Sequence, residues 1–143
     1  MPWPKKLKKI PAVKEVMTPF PYSVEADAPP DEAARMMARH KIHHLPVIDD
    51  GQLVGVVSQR RLEAGESDEG ISVRDVMFAE PYIVEIGEPL EKVLTQLADR
   101  HLECALVVKD DRLAGIFTMI DAYRRYAREL HRQRIEGGGD DAA

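Results

Sequence analysis

Apolar positions along this chain switch between a period of two and a period near 3.6, and they do so twice in the same order. Residues 22–25 alternate as a short strand. Ala33, Met36, Met37 and His40 then fall at helical spacing and predict a helix over 30–41. Pro29 and Pro30 suit its entrance, because a first helical turn needs no donated backbone hydrogen bond. Residues 45–48 and 53–58 read as strands joined by Asp49-Asp50-Gly51, whose Asp-Gly step favours a tight reversal. A single helical turn at 13–17 precedes this series and a helix follows it. The second series has its turn at 73–77, strands at 82–85, 105–108 and 113–118, a helix at 90–101 and a longer one at 119–135. Its reversal, Asp110-Asp111-Arg112, has no glycine.

Residues 13–62 lie over 73–122 without a gap. They agree at Val13/Val73, Val16/Val76, Met17/Met77, Pro21/Pro81, Tyr22/Tyr82, Val24/Val84, Glu25/Glu85, Pro29/Pro89, Ala38/Ala98, Val47/Val107, Asp50/Asp110, Leu53/Leu113 and Gly55/Gly115. Ordinary residue usage gives roughly three matches over such a stretch, so the chain is two copies of one unit. A repeat of about 50 residues is marginal alone, and one body of two interlocked halves is expected. The segments are then a basic extended leader at 1–12, repeat one at 13–64, a polar link GESDEG at 65–70, repeat two at 71–123, a helical extension at 124–136 and a flexible tail at 137–143.

Composition, 44% apolar and 31% charged over 143 residues, fits a soluble body. No apolar run approaches the ~18 residues of a membrane span, and MPWPKKLKKI lacks the apolar stretch of a signal peptide, so no membrane and a cytoplasmic location are expected. Cys104 stands alone, which excludes an intrachain disulfide. The net charge of -5 argues against wholesale nucleic-acid binding. Charge is nevertheless segregated: Lys5, Lys6, Lys8 and Lys9 load the leader, and Arg124, Arg125, Arg128, Arg132 and Arg134 load the last helix. Solvated ends are the simpler reading, and nucleic-acid contact through them the lesser one. Ile120, Tyr123, Tyr126 or Ala127, and Leu130 line one face of that helix, which turns either to the core or to a partner such as a second copy.

The chemistry concentrates where a strand gives way to a helix. In Gly115-Ile116-Phe117-Thr118-Met119-Ile120-Asp121 the Thr118 hydroxyl lies beside the donors of a helix start, where a phosphate is stabilised, and Asp121 can accept from two vicinal hydroxyls. The same Thr-x-x-Asp spacing also makes a capping box. Repeat one keeps the hydroxyl as Ser58 but puts Arg61 where Asp121 stands, and a guanidinium has no acceptor for hydroxyls. His40-Lys41-Ile42-His43-His44-Leu45-Pro46 passes from helix to strand, which spoils a helical metal-ligand face, so no metal site is expected. No activated nucleophile, carboxylate pair or phosphate-binding lysine loop points to an enzyme.

Val-Lys-Glu-Val-Met at 13–17, Leu45-Pro46-Val47-Ile48-Asp49, Gly55-Val56-Val57-Ser58 and their partners, above all Gly115 to Asp121, resemble a tandem pair of cystathionine beta-synthase (CBS) domains, a Bateman module. The resemblance implies an α+β fold: two beta-alpha-beta-beta-alpha units packed about a pseudo-twofold axis, with up to two clefts that bind adenosine-containing ligands in many members. Ile-His-His-Leu-Pro-Val-Ile-Asp also resembles the gamma subunit of AMP-activated protein kinase, and that resemblance implies His43 and His44 as candidate phosphate contacts, ordinary polar residues at a strand entrance being the alternative. In the family each cleft takes its ribose-binding Asp from one repeat and its base and phosphate contacts from the other. One cleft would then join Ile116, Thr118 and Asp121 to Tyr22, Ser23, His43, His44, Pro46 and Arg60. The other would join Ser58 and Arg61 to Tyr82, Ile83, Glu103, Cys104 and Leu106, a degenerate set in which Glu103 repels phosphate. The expectation is a regulatory module, not an enzyme, that binds an adenine nucleotide in one cleft. AMP comes first, with ATP or S-adenosylmethionine as alternatives, no required cofactor, and signalling to a homodimer mate or to an effector in trans. A ligand-independent dimerisation scaffold is the alternative.

Overall fold

Residues 10–65 and 69–137 are described by the computed structural model; the expectations for 1–9, 66–68 and 138–143 fall outside the described residues. The first unit runs from a 3-10 turn, Val13–Glu15, through β1 (Thr18–Pro19), β2 (Val24–Glu25), α1 (Pro30–His40), β3 (His44–Asp49) and β4 (Gln52–Ser58) to α2 (Gln59–Gly65). The second runs from α3 (Val73–Val76) through β5 (Ile83–Glu85), α4 (Leu90–Asp99), β6 (Cys104–Lys109) and β7 (Arg112–Thr118) to α5 (Met119–Glu136), the longest helix. Strand order is β2-β3-β4 in one sheet and β1-β7-β6-β5 in the other. This is the expected α+β pair of units.

Period two decides which face of each strand is buried where. Ala105, Val107 and Phe117 pack with α4's Leu90, Val93 and Leu97. Their neighbours Cys104, Leu106 and Ile116 face the other half and meet Leu53 and Val56 of β4. Leu45, Val47 and Val57 repeat the inward pattern with Ala33 and Met37 of α1 and Leu62 of α2. Each sheet thus has helices on one side and the opposite sheet on the other.

Element ends depart from the pattern where packing decides. Pairing of β2 with β3 starts only at Val24↔Val47, and β5 starts at Ile83, which leaves Tyr22 and Tyr82 ahead of their strands. Helix α4 stops at Asp99, not 101, and His101 turns left-handed (φ 54°) as Lys41 (φ 56°) does after α1. Both hairpins place two central residues at positive φ: Asp50 and Gly51 in one, Asp110 and Asp111 in the other. The second keeps the geometry without glycine because aspartate tolerates the left-handed region better than most residues.

The halves exchange their first segments. Val13 N donates to Glu88 O (2.8 Å) and Lys14 N to Ile86 O (3.1 Å), while Val73 N donates to Ala28 O (2.9 Å) and Arg74 N to Ala26 O (2.9 Å). Val13 is accordingly buried in the core of the second unit and Val73 in that of the first. β1, absent from the sequence expectation, pairs with β7 through Thr18↔Ile116, and its equivalent is the bridge Phe78↔Val56.

The two matched glycines make this exchange possible. A Cβ on Gly55 would lie 2.7 Å from the Phe78 carbonyl oxygen and 2.7 Å from Met77 Sδ, whereas the three atoms nearest one on Gly115 all belong to the Met17 side chain. A methionine tail can swing aside; a carbonyl held by Val56 N at 3.1 Å cannot. Gly55→Ala is therefore expected to cost about 1–3 kcal/mol of stability, clearly more than Gly115→Ala. Urea denaturation of both variants checks the order, and equal costs would contradict it.

Candidate functional site

Thr118 ends β7 in extended conformation (φ -112°, ψ 166°) and caps α5. Its Oγ1 accepts from Asp121 N at 3.2 Å, and Asp121 Oδ2 accepts from Thr118 N at 2.9 Å and from the Thr118 hydroxyl at 3.1 Å. The capping box is thus real. It also holds the carboxylate rigid and half-buried against the helix start, with both of the bonds the carboxylate accepts on Oδ2. Oδ1 has no hydrogen-bond partner among the described residues.

At the equivalent place in repeat one, Ser58 Oγ accepts from Arg61 N at 3.2 Å, and Arg61 Nε donates to Val76 O at 3.0 Å. The guanidinium thus ties down the end of α3 instead of offering an acceptor. Carbonyls at matched positions fasten both helix starts to the loops before β3 and β6: His43 O accepts from Gln59 N (2.9 Å) and Glu103 O from Met119 N (3.0 Å).

Across the seam, His44 Nε2 lies 2.7 Å from Glu103 Oε2, and an Arg60 terminal nitrogen lies 3.6 Å from Glu103 Oε1. Three residues that the sequence divides between two clefts therefore meet. The other expected first-cleft residues differ in burial and in partners. Tyr22 is half exposed and stacks on His40, with ring centroids 3.6 Å apart. Ser23 is partly buried and the His43 side chain is exposed. Pro46 is fully buried in β3 opposite Val56, and Ile116 lies in the seam at 8% exposure. In the second set, Arg100 sits 5.0 Å over the Tyr82 ring, the counterpart of the Tyr22 stack; Ile83 is exposed, and Leu106 is fully buried beside it.

An open groove of about 450 Å³ between α1 and α2 is lined by His43, with Lys41, Gln59 and Glu63 at its edge, and includes neither Thr118 nor Asp121. A second, of about 370 Å³, lies between α4 and α5 beside Leu94 and Tyr126. Volume therefore does not coincide with the polar chemistry. No group of three or more His, Cys, Asp or Glu side chains suited to a metal ion occurs among the described residues.

Cys104 lies in the seam, 8% exposed. Burial first, and the Glu103 carboxylate second, push its thiol from 9.0 up to about 12. Because the folded value is the higher one, stability is retained below pH 9 and lost as the pH rises toward 12, at up to about 1.4 kcal/mol per unit. Cys104→Ala should flatten that alkaline arm in urea melts taken between pH 8 and 11. An unchanged slope would place the loss elsewhere.

A family model for the CBS domain matches residues 13–63 and again residues 73–128. The chain belongs to the CBS domain family. As a CBS pair it is 36% identical over 107 residues to inosine-5'-monophosphate dehydrogenase of Thermoplasma acidophilum, which is 73% of this chain and 21% of the enzyme. It is 25% identical over 116 residues to L-aspartate semialdehyde sulfurtransferase of Methanocaldococcus jannaschii, which is 80% of this chain and 23% of that protein. The chain thus spans less than a quarter of the length of these two relatives. A crystal structure of a CBS domain pair with 5'-methylthioadenosine and S-adenosyl-L-methionine superposes with a TM-score of 0.78 at 24% identity, over 85% of this chain and 99% of that one. The CBSX2 protein in complex with AMP gives a TM-score of 0.72 at 30% identity, over 83% and 98%. No helix among the described residues is long and apolar enough to cross a membrane.

Proposed function

We propose that this CBS pair is a regulatory module that binds one adenine nucleotide, AMP first among them, between the Thr118–Asp121 helix start and the His43–His44 strand entrance. The observation that carries this is the half-buried Asp121 carboxylate, whose Oδ2 is fixed by capping and whose Oδ1 is left for ribose hydroxyls. The positive end of α5 beside it favours phosphate. The AMP complex of the CBSX2 protein supports the choice of ligand. The second cleft stays empty, because Arg61 offers no acceptor and is engaged by Val76 O. Titration calorimetry with AMP, ATP and S-adenosylmethionine tests this reading: AMP should bind tightest, and no heat with any of the three would leave the ligand-independent scaffold.

The signal passes to a homodimer mate or to an effector. α5 has no fully buried residue, and its Ile120, Tyr123, Tyr126, Leu130 and Ile135 are all exposed. A second copy covering this face supplies the dimer, which sedimentation at twice the 16.1 kDa chain mass would verify and a monomer would exclude.

A further inference from the structure

Glu103 reaches from the second repeat to two side chains of the first, and its two oxygens are divided between them: Oε2 to the His44 imidazole at 2.7 Å and Oε1 to the Arg60 guanidinium at 3.6 Å. Its backbone carbonyl meanwhile holds Met119 N, the first residue of α5, at 3.0 Å. The matched residue of repeat one, His43, makes the same backbone bond to Gln59 N, so that bond belongs to the fold. The carboxylate does not. It places a negative charge against the His44 and Arg60 side chains, close to the helix start that carries Thr118 and Asp121.

We propose that Glu103 is an internal anion standing in for phosphate: it engages His44 and Arg60, and an incoming phosphate must displace it. This rests on the reading of His44 and Arg60 as phosphate-facing. Three features make the carboxylate displaceable. Its side chain is 46% exposed and that of Arg60 86%, so the Arg60 link is weak, and the 2.7 Å contact to His44, whose side chain is 16% exposed, is the one a phosphate must outcompete. The 3.6 Å separation is long for a charge-assisted hydrogen bond. A phosphate brings up to two charges and three acceptor oxygens against one charge and two oxygens. A neutral 5' group has nothing with which to compete, so Glu103 sets an affinity threshold that depends on the charge of the ligand's 5' end.

The test compares wild type, Glu103→Gln and Glu103→Ala with AMP and adenosine by calorimetry, and with inorganic phosphate by the nitrogen resonances of the His44 ring. Both variants should tighten AMP and inorganic phosphate about tenfold while adenosine stays within about twofold. Phosphate binding that appears only in the variants supports the proposal equally. Anion affinity that is unchanged, weaker or undetectable in both variants overturns it, and Glu103 then merely orients its two neighbours. AMP that binds no tighter than inorganic phosphate in all three proteins would defeat the nucleotide reading separately, because the gain for phosphate would still identify Glu103 as the competing anion.

Discussion

Asp121→Ala is expected to weaken AMP binding at least about 100-fold, since two hydroxyl bonds to a carboxylate are worth about 1.5–3 kcal/mol each and about 1.4 kcal/mol is a factor of ten. The same change removes the capping box and should cost about 1 kcal/mol of stability, a Tm fall of about 2–4 °C for a domain of this size. Asp121→Asn separates the two roles. Its side-chain oxygen can still accept from Thr118 N, so the helix start survives, while the charge that strengthens the ribose contact is gone. Calorimetry should show AMP affinity lost in both variants and stability lost mainly in alanine. If both variants bind AMP as the native chain does, Asp121 is a cap and nothing more.

Cutting the chain between residues 65 and 69 should leave neither half folded, and mixing the halves should restore the fold. Each half surrenders a fully buried valine, Val13 or Val73, to the other's core, and the second loses β1 from the edge of its sheet. The seam of Leu53, Val56, Cys104, Leu106 and Ile116 is exposed as well. At about 1.5–3 kcal/mol per fully buried side chain, and less for the partly buried Leu53 and Val56, those five are worth several kcal/mol, a large share of a domain's whole stability. Circular dichroism of the separate and mixed halves decides it; two independently folded halves would contradict the interlock.

Much of this architecture is legible in the sequence alone, because repetition doubles every local signal. Helices α1 and α4 and the paired hairpins follow from period, and Gly55 and Gly115 stand out as matched residues. β1 is not legible: two residues, one of them proline, carry no period, and their partner lies near residue 116. Alignment sets Arg61 opposite Asp121 and so finds the missing acceptor, but only tertiary packing brings Val76 O within reach of the guanidinium. Alignment likewise sets Glu103 opposite His43, whereas packing brings it to His44, one residue on. A residue-to-residue match identifies equivalents, not neighbours across an axis. The Tyr22–His40 stack is hidden for a related reason, since His40 has the spacing of a core position and instead supports the tyrosine ahead of β2.

Broken symmetry between the repeats should leave one working cleft of two. The number of AMP molecules bound per chain tests this most directly, by calorimetric titration of the intact protein at concentrations well above the dissociation constant. One AMP per chain is predicted. Two would show that Arg61 and Glu103 do not disable the second cleft, and none would remove the nucleotide from the protein's function altogether.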